Sequence, residues 1–212
     1  EYGGPAAAAE NNVLTRRWLE EFGGLLGMRV SDLVGMEGIE AKHLINYTYP
    51  SDEELRRVGV TGLFLGHYIP WDGLSNALIA QANGFQTYEK VVEGSMVNYE
   101  NLDNCQTGIH DYFKYLKFGF GRATDLACMH VRRGRLTRQD AIEAVTRLDG
   151  LFPNEYLGKS LVSILEPLDI TVDEFKRICD RYTNKKIFKR ESSGSLIRRR
   201  DGSPSRLNDD NQ

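Results

Sequence analysis

A short apolar run, TGLFLGHYI (61–69), sits in a chain whose other apolar residues mostly recur at helical spacing. Its length suits a buried strand better than a helix, and Pro70 ends it. A lone strand is not stable, because its ladder of N–H and C=O groups needs a neighbour. Its partners are therefore expected upstream of Glu1, outside these 212 residues. That reading makes the chain the C-terminal fragment of an α/β protein, itself mainly α-helical with a few strands.

The remaining segments read as helices with local start and stop signals. VLTRRWLEEFGGLLG (13–27) places Leu14, Trp18 and Phe22 four apart and stops at a glycine pair. Ser51 and Glu54 make a capping box. WDGLSNALIAQANG (71–84) enters through Asp72 and ends at Asn83-Gly84. Helices are predicted near 108–118, 122–133, 137–148, 154–165 and 171–182. Thr137 with Asp140, and Thr171 with Glu174, cap two of them. Cys128 and Cys179 fall on these helices as core residues. No internal repeat stands out. ESSGSLIRRRDGSPSRLNDDNQ (191–212) is aromatic-free and is expected to be disordered.

Bulk properties exclude some classes. No apolar run approaches the roughly 18–20 residues of a membrane span. The start EYGGPAAAAENN does not resemble a secretory signal. Three scattered cysteines and four histidines show no metal-ligand spacing, so no metal site is read from them. Together these features point to a cytoplasmic protein. Residues 185–206 hold eight Lys/Arg against two Asp/Glu, a local +6 that leaves −9 on the other 190 residues. The acidic body weighs against nucleic acid as a partner.

The stretch GIHDYFKYLKFGFGRATD (108–125) carries the chemistry. On a helix, His110, Lys114 and Lys117 share one face, while Phe113, Leu116 and Phe120 fall on another. The glycines at 119 and 121 then lead into a helix starting at Arg122, with Asp125 in its first turn. A glycine turn feeding a helix start offers N–H groups to an anion. Lys114, Lys117 and Arg122 would add charge for a phosphate. The alternative is a helical hairpin with a solvated basic face. Trp71 and Asp72 lie at a strand-to-helix transition, a common place for ligands, and equally suit a packed ring beside an N-cap. Glu100 and Asn101 belong to a polar loop, YENLDN, able to meet sugar hydroxyls or to cap the next helix.

The runs ENLDNCQTGIHDYFKYLKFGFGRATD (100–125), VRRGRLTRQDAIE (131–143) and YPSDEELRRVGVTGLFLGHYIPWD (49–72) resemble the N-acetyl sugar amidotransferase family. So do NALIAQANGFQTYEK (76–90), EYGG (1–4) and DRYTNKKIF (180–188). These are proteins of lipopolysaccharide O-antigen and flagellin-sugar biosynthesis, within the PP-loop ATP pyrophosphatases.

The resemblance implies a doubly wound nucleotide-binding domain, of which residues 1–90 would be the C-terminal part. Residues 91–188 would be a helical C-terminal region, followed by a tail over 189–212. It implies conversion of a sugar acetamido group to an acetamidino group, with ATP and Mg2+ as cofactors. A glutaminase subunit would supply ammonia, and a nucleotide-linked N-acetyl sugar would be the substrate. By that resemblance Lys114, Lys117 and Arg122 stabilise phosphate, and His110 or Asp111 orients the acetamido group or manages a proton. Tyr2, Gly3 and Gly4 would lie near the nucleotide, with Asp125 in the same distinctive block as Arg122. The family's phosphate loop, SGG-x-D-S, does not occur among the 212 residues, so the chain is expected to be inactive alone. Two alternatives remain at this point: a tRNA-binding or modifying module, and a helical interaction platform for the glutaminase.

Overall fold

The computed structural model describes residues 12–22, 28–69 and 71–208. Tyr2, Gly3 and Gly4 lie outside them. The chain is mainly helical with a few short strands, and it divides into two compact units, Glu1–Asn76 and Ala77–Gln212. No helix among the described residues is long and apolar enough to cross a membrane.

In the first unit, strand β1 (Val13–Leu14) pairs antiparallel with β2 (Gly62–Leu63), matching Val13 to Leu63 and Leu14 to Gly62. The run 61–69 is thus not one buried strand with upstream partners. Two residues pair, within this chain, and a 3-10 turn over Leu65–His67 follows. Glycines at 62 and 66 and the nearby proline disfavour a longer strand. Leu63, Leu65, Tyr68 and Ile69 are exposed. Helix α1 (Arg16–Phe22) starts at Thr15, whose Oγ1 accepts from the Trp18 N–H. Helix α2 (Asp52–Val58) has the expected capping box and ends at Gly59 in the left-handed conformation. Leu44 is the one buried hydrophobic residue among the described part of this unit. Helix α3 (Gly73–Ala82) begins at Asp72, whose Oδ1 accepts from the N–H groups of Leu74 and Ser75.

The second unit holds the core. Helix α4 (Thr107–Phe118) is clamped against α8 (Val172–Tyr182) and α7 (Leu161–Leu165). Tyr112, Tyr115, Leu116, Leu165, Phe175 and Cys179 are buried together there. Each fully buried side chain of this size stabilises by about 1.5–3 kcal/mol. Gly119 ends α4 at φ +79, so the chain leaves the helix before Phe120, which stays partly exposed. Helix α5 (Arg122–Arg132) and α6 (Arg138–Leu148) form a hairpin through Gly134. Cys128 on α5 is exposed rather than buried, whereas Cys179 is core as expected.

Two further expectations fail here. The helix predicted over 154–165 is half hairpin: β3 (Glu155–Tyr156) pairs with β4 (Lys159–Ser160), and only α7 follows. Leu157 and Gly158 make the turn with φ +48 and +75, the positive pair that a two-residue hairpin demands. The second failure is the supposed disordered tail. Residues 187–207 form a closed three-sided cap. Bridges join Arg190 to Leu196, Arg198 to Pro204, and Phe188 to Arg206. The sequence behind it repeats every eight residues: Phe188-x-Arg190, Leu196-x-Arg198, Pro204-x-Arg206, with Gly194 and Gly202 turning at φ +90 and +83. Phe188, Leu196 and Pro204 are buried. That burial offsets the ordering entropy that composition alone could not account for.

Burial also holds three acids protonated. It pushes the Tyr112 hydroxyl from its ordinary 10.0 up to about 12, and Tyr156 likewise up to about 12. The Cys179 thiol rises from 9.0 to about 12. Their folded-state values lie above the unfolded ones, so the folded chain binds more protons between these limits. Stability is therefore full below about pH 9 and falls as pH rises toward 12, at up to about 1.4 kcal/mol per pH unit per group. Urea midpoints should be flat from pH 7 to about 9 and decline steadily above it; a flat profile to pH 12 would show that these groups titrate normally.

Candidate functional site

The second unit holds a cleft of about 370 Å³, within the usual range for small-molecule sites. Asp111 and Tyr112 of α4, Arg122 of α5, the 148–156 segment after α6, and residues 91–94 line it. Charged side chains share its lining with apolar ones, of which Val91 and Leu151 are exposed.

The lining includes a charged pair. Arg122 donates through Nε to Asp111 Oδ2 at 3.0 Å and through Nη2 to Oδ1 at 3.1 Å. This two-pronged geometry locks both side chains, which are 22% and 13% exposed. Burial works against the Arg122 charge, but the hydrogen bonds to Asp111 and the fields of Asp111, Glu100 and Asp125 outweigh it. Its pKa is held above the ordinary value. His110 extends the pair outward: Nδ1 lies 3.0 Å from Asp111 Oδ1, with the imidazole largely in solvent.

The glycine turn does offer its N–H groups to an anion, and the anion is the chain's own. Asp149, at the C-terminal end of α6, returns to the start of α5. Its carboxylate accepts from Gly121 N–H at 2.8 Å, from Ala123 N–H at 3.1 Å and from Thr124 Oγ1 at 2.6 Å. A Cβ at Gly121 would lie 2.6 Å from Asp149 Oδ1, so only glycine admits the carboxylate. The expected bare phosphate seat is filled. Lys114 is likewise paired, with Asp125, and its ammonium lies 4.9 Å from the centre of the Phe120 ring. Lys117 lies over Phe113 and Tyr182, at 5.9 and 5.8 Å. Neither lysine lines the cleft.

Of the residues singled out from sequence, Asp111 and Arg122 meet in this cleft, with His110 beside them and Glu100 in their field. Asn101 contributes its backbone: at φ +57, its carbonyl accepts from the Tyr156 hydroxyl at 3.3 Å. Asp125 serves Lys114. Trp71 and Asp72 belong to the first unit. Sequence reasoning missed Glu93, Asp149, Phe152 and Tyr156. Glu93 was findable only through its partner, the N–H of the left-handed Leu157, which it accepts at 3.0 Å.

The cleft is rich in acceptors. Asp111, Asp149, Glu93 and Glu155 line it beside one arginine, Arg122, which Asp111 already engages. Carboxylate oxygens in that lining can accept from hydroxyl and amide N–H donors. Among the described residues, no three His, Cys, Asp or Glu side chains converge to hold a metal ion.

No curated protein matches the chain. A protein-family description, "LPS biosynthesis protein WbpG-like, C-terminal domain", matches residues 85–200. That span is more than half of the chain and contains all the residues that line the cleft. By that match, the chain belongs to the WbpG-like family of lipopolysaccharide biosynthesis proteins.

Proposed function

We propose that the chain is the sugar-receiving part of an ATP-dependent amidotransferase, which converts a sugar acetamido group to an acetamidino group in O-antigen biosynthesis. The observation that carries this reading is the locked Asp111–Arg122 pair in an acceptor-rich cleft, inside the family-matched region. In the reaction, the amide oxygen attacks the α-phosphorus of ATP and pyrophosphate leaves. Ammonia from a glutaminase partner then adds to the activated carbon, and AMP departs with the former amide oxygen.

An amide oxygen is a weak nucleophile. A carboxylate accepting from the acetamido N–H pushes electron density toward that oxygen. Asp111 is suited to this because Arg122 fixes its orientation. Once ammonia has added, a nearby carboxylate can take the surplus proton; Asp111 through His110, or Glu93, is within the cleft to do so. ATP is assigned to none of the residues described here, since the phosphate-loop motif is not among them. The reading places the protein in the cytoplasm, where ATP and nucleotide sugars are at hand.

The test is AMP formation by the protein carrying this chain, with glutaminase or ammonium and UDP-linked N-acetyl sugars. AMP should appear only when both sugar and ammonia are present. Asp111→Asn and Arg122→Ala should each lower kcat/KM for the sugar about 100-fold or more. Lys117→Ala should stay near the parent value. An equal loss in Lys117→Ala would instead favour a phosphate-binding role for the α4 lysines.

A further inference from the structure

Arginines 190, 198 and 206 recur at eight-residue spacing in the cap, and each is half-buried. They do different work. Arg190 donates to the carbonyls of Asp180, Thr183 and Gly194; none of these lines the cleft. Arg198 donates through Nη1 to the Tyr112 hydroxyl at 2.6 Å and through Nη2 to Asp180 Oδ1 at 3.3 Å. Its guanidinium also lies 5.8 Å from the Phe152 ring centre. Arg206 donates to the Gly119 carbonyl and lies 5.5 Å from the Tyr115 ring centre and 5.9 Å from that of Phe188.

Tyr112, Tyr115 and Phe152 all line the cleft. Tyr112 and Phe152 also meet Arg198, and Tyr115 meets Arg206. Tyr112 and Phe152 also touch each other edge to face at 5.6 Å. Tyr115 presses on Gly150, where a Cβ would fall 2.4 Å from Cε1. The same three side chains thus line the cleft and carry the cap arginines, so in a close-packed interior a shift on one side is felt on the other.

We propose that residues 187–207 are a positioning cap for the cleft. Arg198 and Arg206 hold the Tyr112, Tyr115 and Phe152 wall from behind, and cleft occupancy is coupled to cap docking. The inference rests on the cleft being the sugar site only for the identity of its ligand; the mechanical link stands on the contacts above. These arginines touch no substrate and act through the aromatic wall.

The test is hydrogen–deuterium exchange on the intact 212-residue chain, with and without UDP-N-acetylglucosamine. Arg198→Gln should raise exchange across 149–156 and weaken binding of that probe about 10-fold. Arg190→Gln should loosen 180–194 while leaving both quantities at the parent value. Arg198→Lys keeps the charge without the fork, and should fall between; it also serves if Arg198→Gln does not fold. Saturation of the parent chain with the probe should slow exchange in 196–206. Equal effects of the Arg190 and Arg198 variants on 149–156, or none from Arg198→Gln, would overturn the proposal. If the probe does not bind the parent chain, the sugar reading fails, and the ligand-free exchange comparison still decides the coupling.

Discussion

Replacing Asp149 by alanine is expected to destabilise the chain by about 3 kcal/mol and to make it responsive to inorganic phosphate. Three donors depend on this carboxylate: the N–H groups of Gly121 and Ala123, and the Thr124 hydroxyl. Gly121 and Ala123 are buried, so protein atoms alone cannot replace the lost acceptor. The same carboxylate also faces the positive end of α5. Its removal leaves a glycine turn, a helix start and the Thr124 hydroxyl around a vacated position next to the cleft, which is the arrangement that receives phosphate elsewhere. Thermal unfolding in phosphate and in chloride, at equal ionic strength, checks both halves. The variant should melt about 10 °C lower in chloride, and phosphate should restore part of that difference. In the parent chain, phosphate and chloride should give the same midpoint. A parent chain stabilised by phosphate as strongly as the variant would mean that Asp149 does not occupy the anion position.

Gly150→Ala should be as damaging for a different reason. At φ +84, an alanine would sit in the left-handed region, at a cost of about 1 kcal/mol or more. Its Cβ would also lie 2.4 Å from Cε1 and 2.5 Å from Cζ of Tyr115. That ring is buried against Phe188 and under Arg206, so it cannot step aside. Overpacking of this kind adds about 1–3 kcal/mol. Gly134→Ala is the comparison: φ is +67, and nothing lies within 4 Å of its Cβ. It should lose only the backbone part, about 1 kcal/mol. Urea unfolding of the two variants separates the contributions. Similar losses at both sites would show that the Tyr115 contact is soft.

The caps were legible in the sequence because their physics is local. Ser51 with Glu54, Thr137 with Asp140 and Thr171 with Glu174 each join a side chain to a backbone N–H three residues on. The helix stop at Gly119 was legible for the same reason. What escaped was non-local or disguised. Asp149 meets Gly121 across 28 residues, and no pattern within either segment announces it. The hairpin at 155–160 turns on Leu157 in a conformation leucine seldom adopts. Asp111 and Arg122 were singled out as separate members of a basic stripe and its neighbours; their mutual pairing depends on how α4 and α5 cross. The cap was hidden by its composition: serine, arginine and glycine read as a solvated tail until the eight-residue period is noticed.

The cap also has a consequence in time. Arg198 meets Tyr112 across 86 positions, and Arg206 meets Gly119 across 87. A ribosome must therefore have made the 187–207 segment before the back of the cleft can be fastened. Until then Tyr112, Tyr115 and Phe152 have no arginine behind them. A product that stops before Arg198 would hold every helix from α4 to α8 and yet have a slack wall. Cellular quality control, which recognises exposed aromatic surface, has its handle on such products at this spot.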